Sequence, residues 1–339
     1  MFNCLIQIEP LGFLYGSAGR FLSPDNLVGR SGTSFPPSAA TVAGMIAASQ
    51  SGQTQTDLFV AGPFWAFSNN PKNFYMPTPF SYLAKFNEQE SDHQIAIGSI
   101  EHRLHFEPDF KGMGNAWVTE EGQVPSGKFA KGTWLAIDDW EQPSQVYGSP
   151  WRFNPHLHPR LSEDERCVQA DVEQGSLFLE NAVQMHPDTC LIYLSNKDLS
   201  AQAAGATNWL RFGGESHIVE TTYHSFTSQR FDGNLGQQFA LITPGVWGSK
   251  RQSYRFPEAW STPNPPTIFT ERPQTFRYRI GGRLSRGRYA VPAGTIYITK
   301  DSMQAWKDWD EAWFAKDGLS LKHWGCGLAL PLPDHPPTT

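Results

Sequence analysis

The 339-residue chain predicts an α+β protein of two tandem ferredoxin-like domains, with glycine-rich loops and long inserted loops. Three observations lead there. The length exceeds the usual single-domain size, while 39% hydrophobic and 13% aromatic content suffices for substantial cores. Gly 30 and Pro 26 are too many for a helical bundle and point to short strands and irregular loops. Finally, strands and helices follow one another in a split βαβ order that restarts past the middle of the chain.

Taken in order, Asn3–Glu9 reads as a strand, and a glycine-rich stretch from Gly12 to Gly32 follows. Phe35-Pro-Pro-Ser38 then opens a predicted helix to Ser49, where Val42, Met45 and Ile46 recur at i, i+3, i+4. Ile95–Gly98 and Trp134–Ile137 read as strands between Pro/Asn/Gly-rich loops. Gly175–Glu180 and Thr189–Leu194 form an expected strand pair, and Asp198–Trp209 an expected helix. A strand at His217–Glu220 ends the first domain, 1–225, and the second runs over 226–339. The second domain is expected to hold strands at Gln238–Thr243, Thr275–Ile280 and Ala290–Thr299. A helix is expected over Ser302–Phe314, where Trp306, Trp309 and Trp313 fall at i, i+3, i+7, before a glycine turn and a last strand at the end.

Composition excludes several classes. A net charge of −6 and a charged fraction of 18% give no global nucleic-acid signature, so any such surface must be local. Cys4, Cys167, Cys190 and Cys326 are scattered without a C-x-x-C pair, which argues against structural zinc or a disulfide framework. The first ten residues lack a basic export region, and no run approaches the roughly 18 apolar residues of a membrane span. A soluble, cytoplasmic protein without membrane partner or cofactor is expected.

Local positive charge is concentrated at Arg272, Arg277, Arg279, Arg283, Arg286 and Arg288, with no acidic residue between 272 and 288. Gly281, Gly282 and Gly287 interleave with them. Glycine lets backbone approach phosphate, and arginine pairs with phosphate and stacks on bases. Two readings are open: a basic cluster that binds RNA, which the residue types favour, or a solvated strand face meeting an acidic partner subunit. Glycine turns at Gly12–Gly32, Gly213-Gly214 and Gly325-x-Gly327 could expose N–H groups to anions, with Arg20, Arg30, Arg211 and Lys322 as basic neighbours.

Ten histidines raise an enzyme hypothesis. His156 and His158 alternate on one predicted strand, and His102 lies near His105, yet no further ligand or base stands at diagnostic spacing. Neither a metal site nor a catalytic residue is expected. Acidic groups at Glu163-Asp-Glu165, Asp138-Asp139 and Asp308–Glu311 read as hydrated surface, and the tryptophans as core or interface.

Four stretches carry a resemblance to a known family. They are Leu11–Phe21 with Phe35–Gly44, Leu210–Ser216, Ala290–Tyr297 and Gly325-x-Gly327. In that order they resemble the third RAMP subunit of the type III-B, or Cmr, CRISPR complex. The resemblance implies two RRM-like RAMP domains and a non-catalytic role in an RNA-guided antiviral ribonucleoprotein. It implies that the chain grips the 5′ tag of the crRNA and bridges the large palm-domain subunit to the backbone RAMP subunit. Target cleavage and cyclase chemistry would then belong to those partners. The RNA-binding residues expected from resemblance and charge together are Arg20, Arg30, Ser38, Arg211, Gly213, Gly214, Arg279, Arg283, Arg286, Arg288, Lys322, Gly325 and Gly327. Arg20 matches the family's early arginine, though Phe21-Leu22 follows it here. The alternative function is a RAMP endoribonuclease that matures precursor crRNA, which would need a base beside the first helix.

Overall fold

The computed structural model describes residues 1–15, 35–49, 56–87, 94–112, 114–159, 167–168, 177–199, 208–213, 217–248, 253–280 and 283–333. At 158, 177–180, 279–280 and 283 it describes the backbone alone.

A ten-stranded sheet is drawn entirely from the chain before residue 226. Its heart is four strands: β1 (Cys4–Pro10), β2 (Val60–Phe67), β3 (Thr189–Ser195) and β4 (His217–Ser225). They lie side by side as β4-β1-β3-β2, each antiparallel to its neighbour. Asn208–Phe212 pairs with the outer side of β4 and forms that edge of the sheet. β1 is apolar almost throughout because both its faces are covered. Ile6 and Ile8 face one cluster, together with Val42 and Ile46 of helix α1 (Ala39–Ser49), while Leu5 faces another. Tyr193 fixes the start of the helix segment, its hydroxyl donating to the Pro37 carbonyl at 2.6 Å.

A four-stranded antiparallel sheet is drawn from the chain after residue 226: β5 (Gly236–Leu241), β6 (Thr267–Phe269), β7 (Ile296–Met303) and β8 (Ala329–Pro331). Its lateral order, β8-β5-β7-β6, repeats that of the first four: fourth, first, third, second. A long hairpin, Trp151–Pro159 with Leu177–Met185, joins Leu14–Tyr15 in a separate three-stranded sheet.

One large core crosses residue 226. Leu5, Phe64, Ile192 and Leu194 pack in the same cluster as Phe239, Trp247, Trp306 and Leu330. His323 ties the two parts further: its Nδ1 donates to the Leu58 carbonyl at 3.1 Å and its ring stacks on Phe59 at 4.1 Å.

The expected α+β balance is corrected to a mostly β protein, since α1 is the sole α-helix among the described residues. The helix expected over Ser302–Phe314 is instead two 3-10 turns, Trp306–Asp308 and Glu311–Trp313. Trp309 and Asp310 between them are extended, and the Asp310 carboxylate accepts from the Ala312 N–H at 2.8 Å, starting a new turn. Of the helix expected at Asp198–Trp209, positions 200–207 lie outside the described residues, and Trp209 is in a strand. The expected pair of Gly175–Glu180 with Thr189–Leu194 does not form. Leu177–Met185 pairs with Trp151–Pro159, whereas β3 is sandwiched between β1 and β2. No helix among the described residues is long and apolar enough to cross a membrane.

Candidate nucleic-acid interface

The arginine-rich segment folds into a two-tier ribbon. Gln274–Phe276 pairs with Arg288–Ala290, and further out Arg279–Ile280 pairs with Arg283–Leu284. Ser285 fastens the junction: its N–H donates to the Tyr278 carbonyl at 2.8 Å, its hydroxyl accepts from the Tyr278 N–H at 3.0 Å, and its carbonyl accepts from Arg277 Nε at 2.8 Å. The outer tier comes within 8 Å, Cα to Cα, of helix α1. The fold thus sets the arginine ribbon beside the helix that follows the glycine-rich stretch.

The six arginines divide by role. Arg272 and Arg286 are exposed, and Arg279 and Arg283 occupy the outer tier by backbone position. Arg277 braces the ribbon. Arg288 is 5% exposed and forms a two-pronged pair with Asp317, at 2.5 and 2.7 Å. The Asp317 carboxylate holds the Arg288 guanidinium above its ordinary pKa against the opposing effect of burial. Arg288 therefore has its charge neutralised internally, and it leaves the candidate interface.

Lys322, Gly325 and Gly327 leave it as well. The buried Lys322 ammonium donates to the carbonyls of Lys307 at 2.7 Å and Trp309 at 2.5 Å. Burial pushes its pKa down, opposed by Glu311, Asp308 and Asp310. Gly325 ends a 3-10 turn at φ 64°, where a Cβ would lie 2.5 Å from the Ala61 Cα. A Cβ on Gly327, at φ 67°, would enter the Trp247 ring at 2.2 Å. Their N–H groups donate to the carbonyls of Lys322 and Pro244, each at 2.9 Å, and so are not offered to an anion. This glycine turn is a packing device between β2 and the Trp247 core.

Gly213, at φ 75°, follows the edge strand on which Arg211 is exposed. Ser38 is half-buried just before α1, and its carbonyl accepts the Thr41 N–H at 2.9 Å. Arg20, Arg30 and Gly214 lie outside the described residues. Among the described residues, the structure brings no three His, Cys, Asp or Glu side chains into a metal-holding group. His156 packs against Phe13 with ring centroids 5.4 Å apart, and His105 Nε2 stands 3.9 Å from Glu107.

Sequence reading passed over Trp209, which is 63% exposed beside Arg211 on the same strand face. Asn208-Trp-Leu-Arg-Phe212 carries no polar/apolar alternation, so the exposure of Trp209 follows only from its strand pairing.

No protein-family model matches the chain, and no curated protein matches it. Among the solved chains that match are several from type III CRISPR complexes. One is from the type III-B Cmr-beta complex bound to cognate target RNA, 12% identical over 87% of this chain and 86% of that one, with a TM-score of 0.46. Another is from the Csm1-Csm4 cassette in complex with cA4, 13% identical over 89% and 88%, with a TM-score of 0.39. A third is from the Csm3-Csm4 subcomplex of the type III-A interference complex, 9% identical over 89% and 94%, with a TM-score of 0.36.

Proposed function

We propose that this chain is a non-catalytic, RNA-holding subunit of a type III CRISPR effector complex, of the type III-B kind. The observation that carries the proposal is the arginine ribbon. It places Arg279, Arg283 and Arg286 on one hairpin, with Arg272 just before its first strand, and no acidic residue lies between 272 and 288. Such a ribbon suits the phosphates of a single strand, and its outer tier lies beside α1. The four sequence stretches that resemble the Cmr subunit support the same reading. The repeated strand order supports two ferredoxin-like RAMP domains meeting near residue 226. In this reading the RNA is the crRNA 5′ tag. The large palm-domain subunit and the backbone RAMP subunit are the protein neighbours, and they carry the chemistry.

The test is RNA binding by the purified chain, wild type and with Arg279, Arg283 and Arg286 changed to alanine, across a salt series. A tag-containing RNA should bind more weakly to the variant, with the log–log salt slope reduced by about 0.7 per lost phosphate contact. An unchanged slope would remove the ribbon from the RNA interface and leave the acidic-partner reading of the hairpin. Incubation of the same RNA with the wild-type chain should leave its length unchanged.

A further inference from the structure

The face of the large sheet at its β4 edge has the opposite character to the ribbon. β4 and β1 run in register so that Glu220 stands directly across from Glu9. Like charges directly opposite on neighbouring strands oppose folding. Here neither carboxylate has a cationic partner among the described residues. Glu9 instead accepts from Gln7 Nε2 at 2.9 Å, and the Gln7 side-chain Oε1 accepts from His224 Nε2 at 2.7 Å, which fixes one end of the pair.

Both glutamates line a groove of about 1040 Å³ whose walls include Leu11, Phe13, Phe67 and Met185. Asp188 adds a third carboxylate, with His186 Nδ1 4.0 Å from it, and no lysine or arginine is among the described residues that line the groove. The apolar surface continues past the rim. Leu11 is 52% exposed, and its N–H reaches the Ile218 carbonyl at 3.4 Å. Ile218 is 43% exposed, on the same face of β4 as Glu220, and Trp209 stands opposite Glu220 across the edge pair. Arg211, opposite Ile218, is the single cation of that edge. An exposed tryptophan and aliphatic groups around Glu9 and Glu220, which lack a cationic partner among the described residues, match the make-up of a protein interface. Phosphate is disfavoured there, because a phosphodiester would have to approach uncompensated acidic groups.

We propose that this groove docks an extended basic segment of another protein. An arginine or lysine of that segment sits between Glu9 and Glu220, and its apolar side chains lie against Leu11, Phe13 and Trp209. The cation relieves the like-charge pair, so the groove selects its partner by charge and adheres through its apolar walls. This proposal is independent of the RNA reading, because it uses none of the ribbon residues.

The test uses the full chain and three labelled seven-residue peptides that alternate leucine with arginine, glutamine or glutamate, followed by fluorescence anisotropy. The arginine peptide should bind at least about tenfold more tightly than the glutamine peptide. The double variant Glu9→Gln/Glu220→Gln should abolish that preference while its melting temperature is unchanged or raised, which separates lost recognition from lost folding. Trp209→Ala should weaken the arginine peptide, and alanine at Arg279, Arg283 and Arg286 should leave its binding unchanged. Equal binding of arginine and glutamine peptides, or a double variant that keeps the preference, would overturn the proposal. So would displacement of the peptide by oligouridine that persists in the ribbon variant, which assigns the groove to RNA. Self-association that Trp209→Ala abolishes would overturn it too, by assigning the face to a second copy of this chain.

Discussion

Arg288 and Asp317 meet across 29 residues of sequence through two hydrogen bonds, at 2.5 and 2.7 Å, with the arginine side chain 4% exposed. The pair anchors the base of the arginine ribbon to the short Lys316–Asp317/Leu319–Ser320 hairpin. The carboxylate is nonetheless partly open, at 18% exposure.

Removing one partner strands the other. Asp317→Asn should cost about 3 kcal/mol in urea unfolding, near the lower end for broken buried pairs because of that partial exposure. Replacing both, Arg288→Met with Asp317→Leu, should restore most of the loss. A double replacement as damaging as the single one would mean that the pair contributes more than neutralised charge.

RNA binding should distinguish Arg286 from Arg288. Arg286→Ala should lower the salt slope of RNA binding by about 0.7, as one lost single-strand phosphate contact does. Arg288→Met, measured on protein shown to be folded, should leave the slope as it is.

Glycine at 325 is a packing requirement. Gly325→Ala adds a Cβ 2.5 Å from the Ala61 Cα and 2.9 Å from the Val60 carbonyl oxygen, at φ 64°. Backbone strain and overpacking together should cost about 2–4 kcal/mol. Gly213→Ala shares the positive φ but meets nothing within 4 Å, so strain alone remains, about 1 kcal/mol. Melting temperatures of the two variants give the comparison.

Thiol chemistry should be equally uneven. Burial pushes the Cys190 and Cys326 thiols from their ordinary 9.0 up to about 12, and raises Cys4 as well, whereas Cys167 is exposed. Iodoacetamide at pH 8 should label Cys167 first in the native protein, read by peptide mass. Between pH 9 and 12 the unfolded chain loses these protons and the folded chain keeps them. The folded state then binds more protons, so stability must fall as pH rises through that window. Urea midpoints at pH 8 and pH 10 measure the fall.

Much of this architecture was legible in the residues. The strand at β1 and the helix at Ala39–Ser49 follow from local pattern, because their apolar spacing matches a single period. The tryptophans at 306, 309 and 313 misled for a physical reason: two short 3-10 turns joined by the extended Trp309 and Asp310 carry the same apolar spacing as a helix. Each turn is fixed by contacts that local spacing does not carry, such as the Trp306 indole donating to the Cys326 carbonyl at 3.2 Å. The ribbon was visible as a run of arginines, but the withdrawal of Arg288 was not, since its carboxylate partner lies far along the chain. Gly325-x-Gly327 looks like an anion cradle because a glycine turn that offers its N–H groups outward has the same composition as one that spends them on carbonyls. The acidic groove depends on Glu9 and Glu220 being placed face to face, which only strand register reveals.

The core that crosses residue 226 also orders events in time. On the ribosome, β1, β2 and β3 are complete long before Trp306, Leu328 and Leu330, which finish the cluster around Leu5, Phe64 and Ile192, have been added. At about 5–20 residues per second, the interval from residue 226 to residue 330 lasts roughly 5–20 s. Throughout it the nascent first half carries a bare apolar sheet face, so chaperone capture of this chain should be strongest in that translational window.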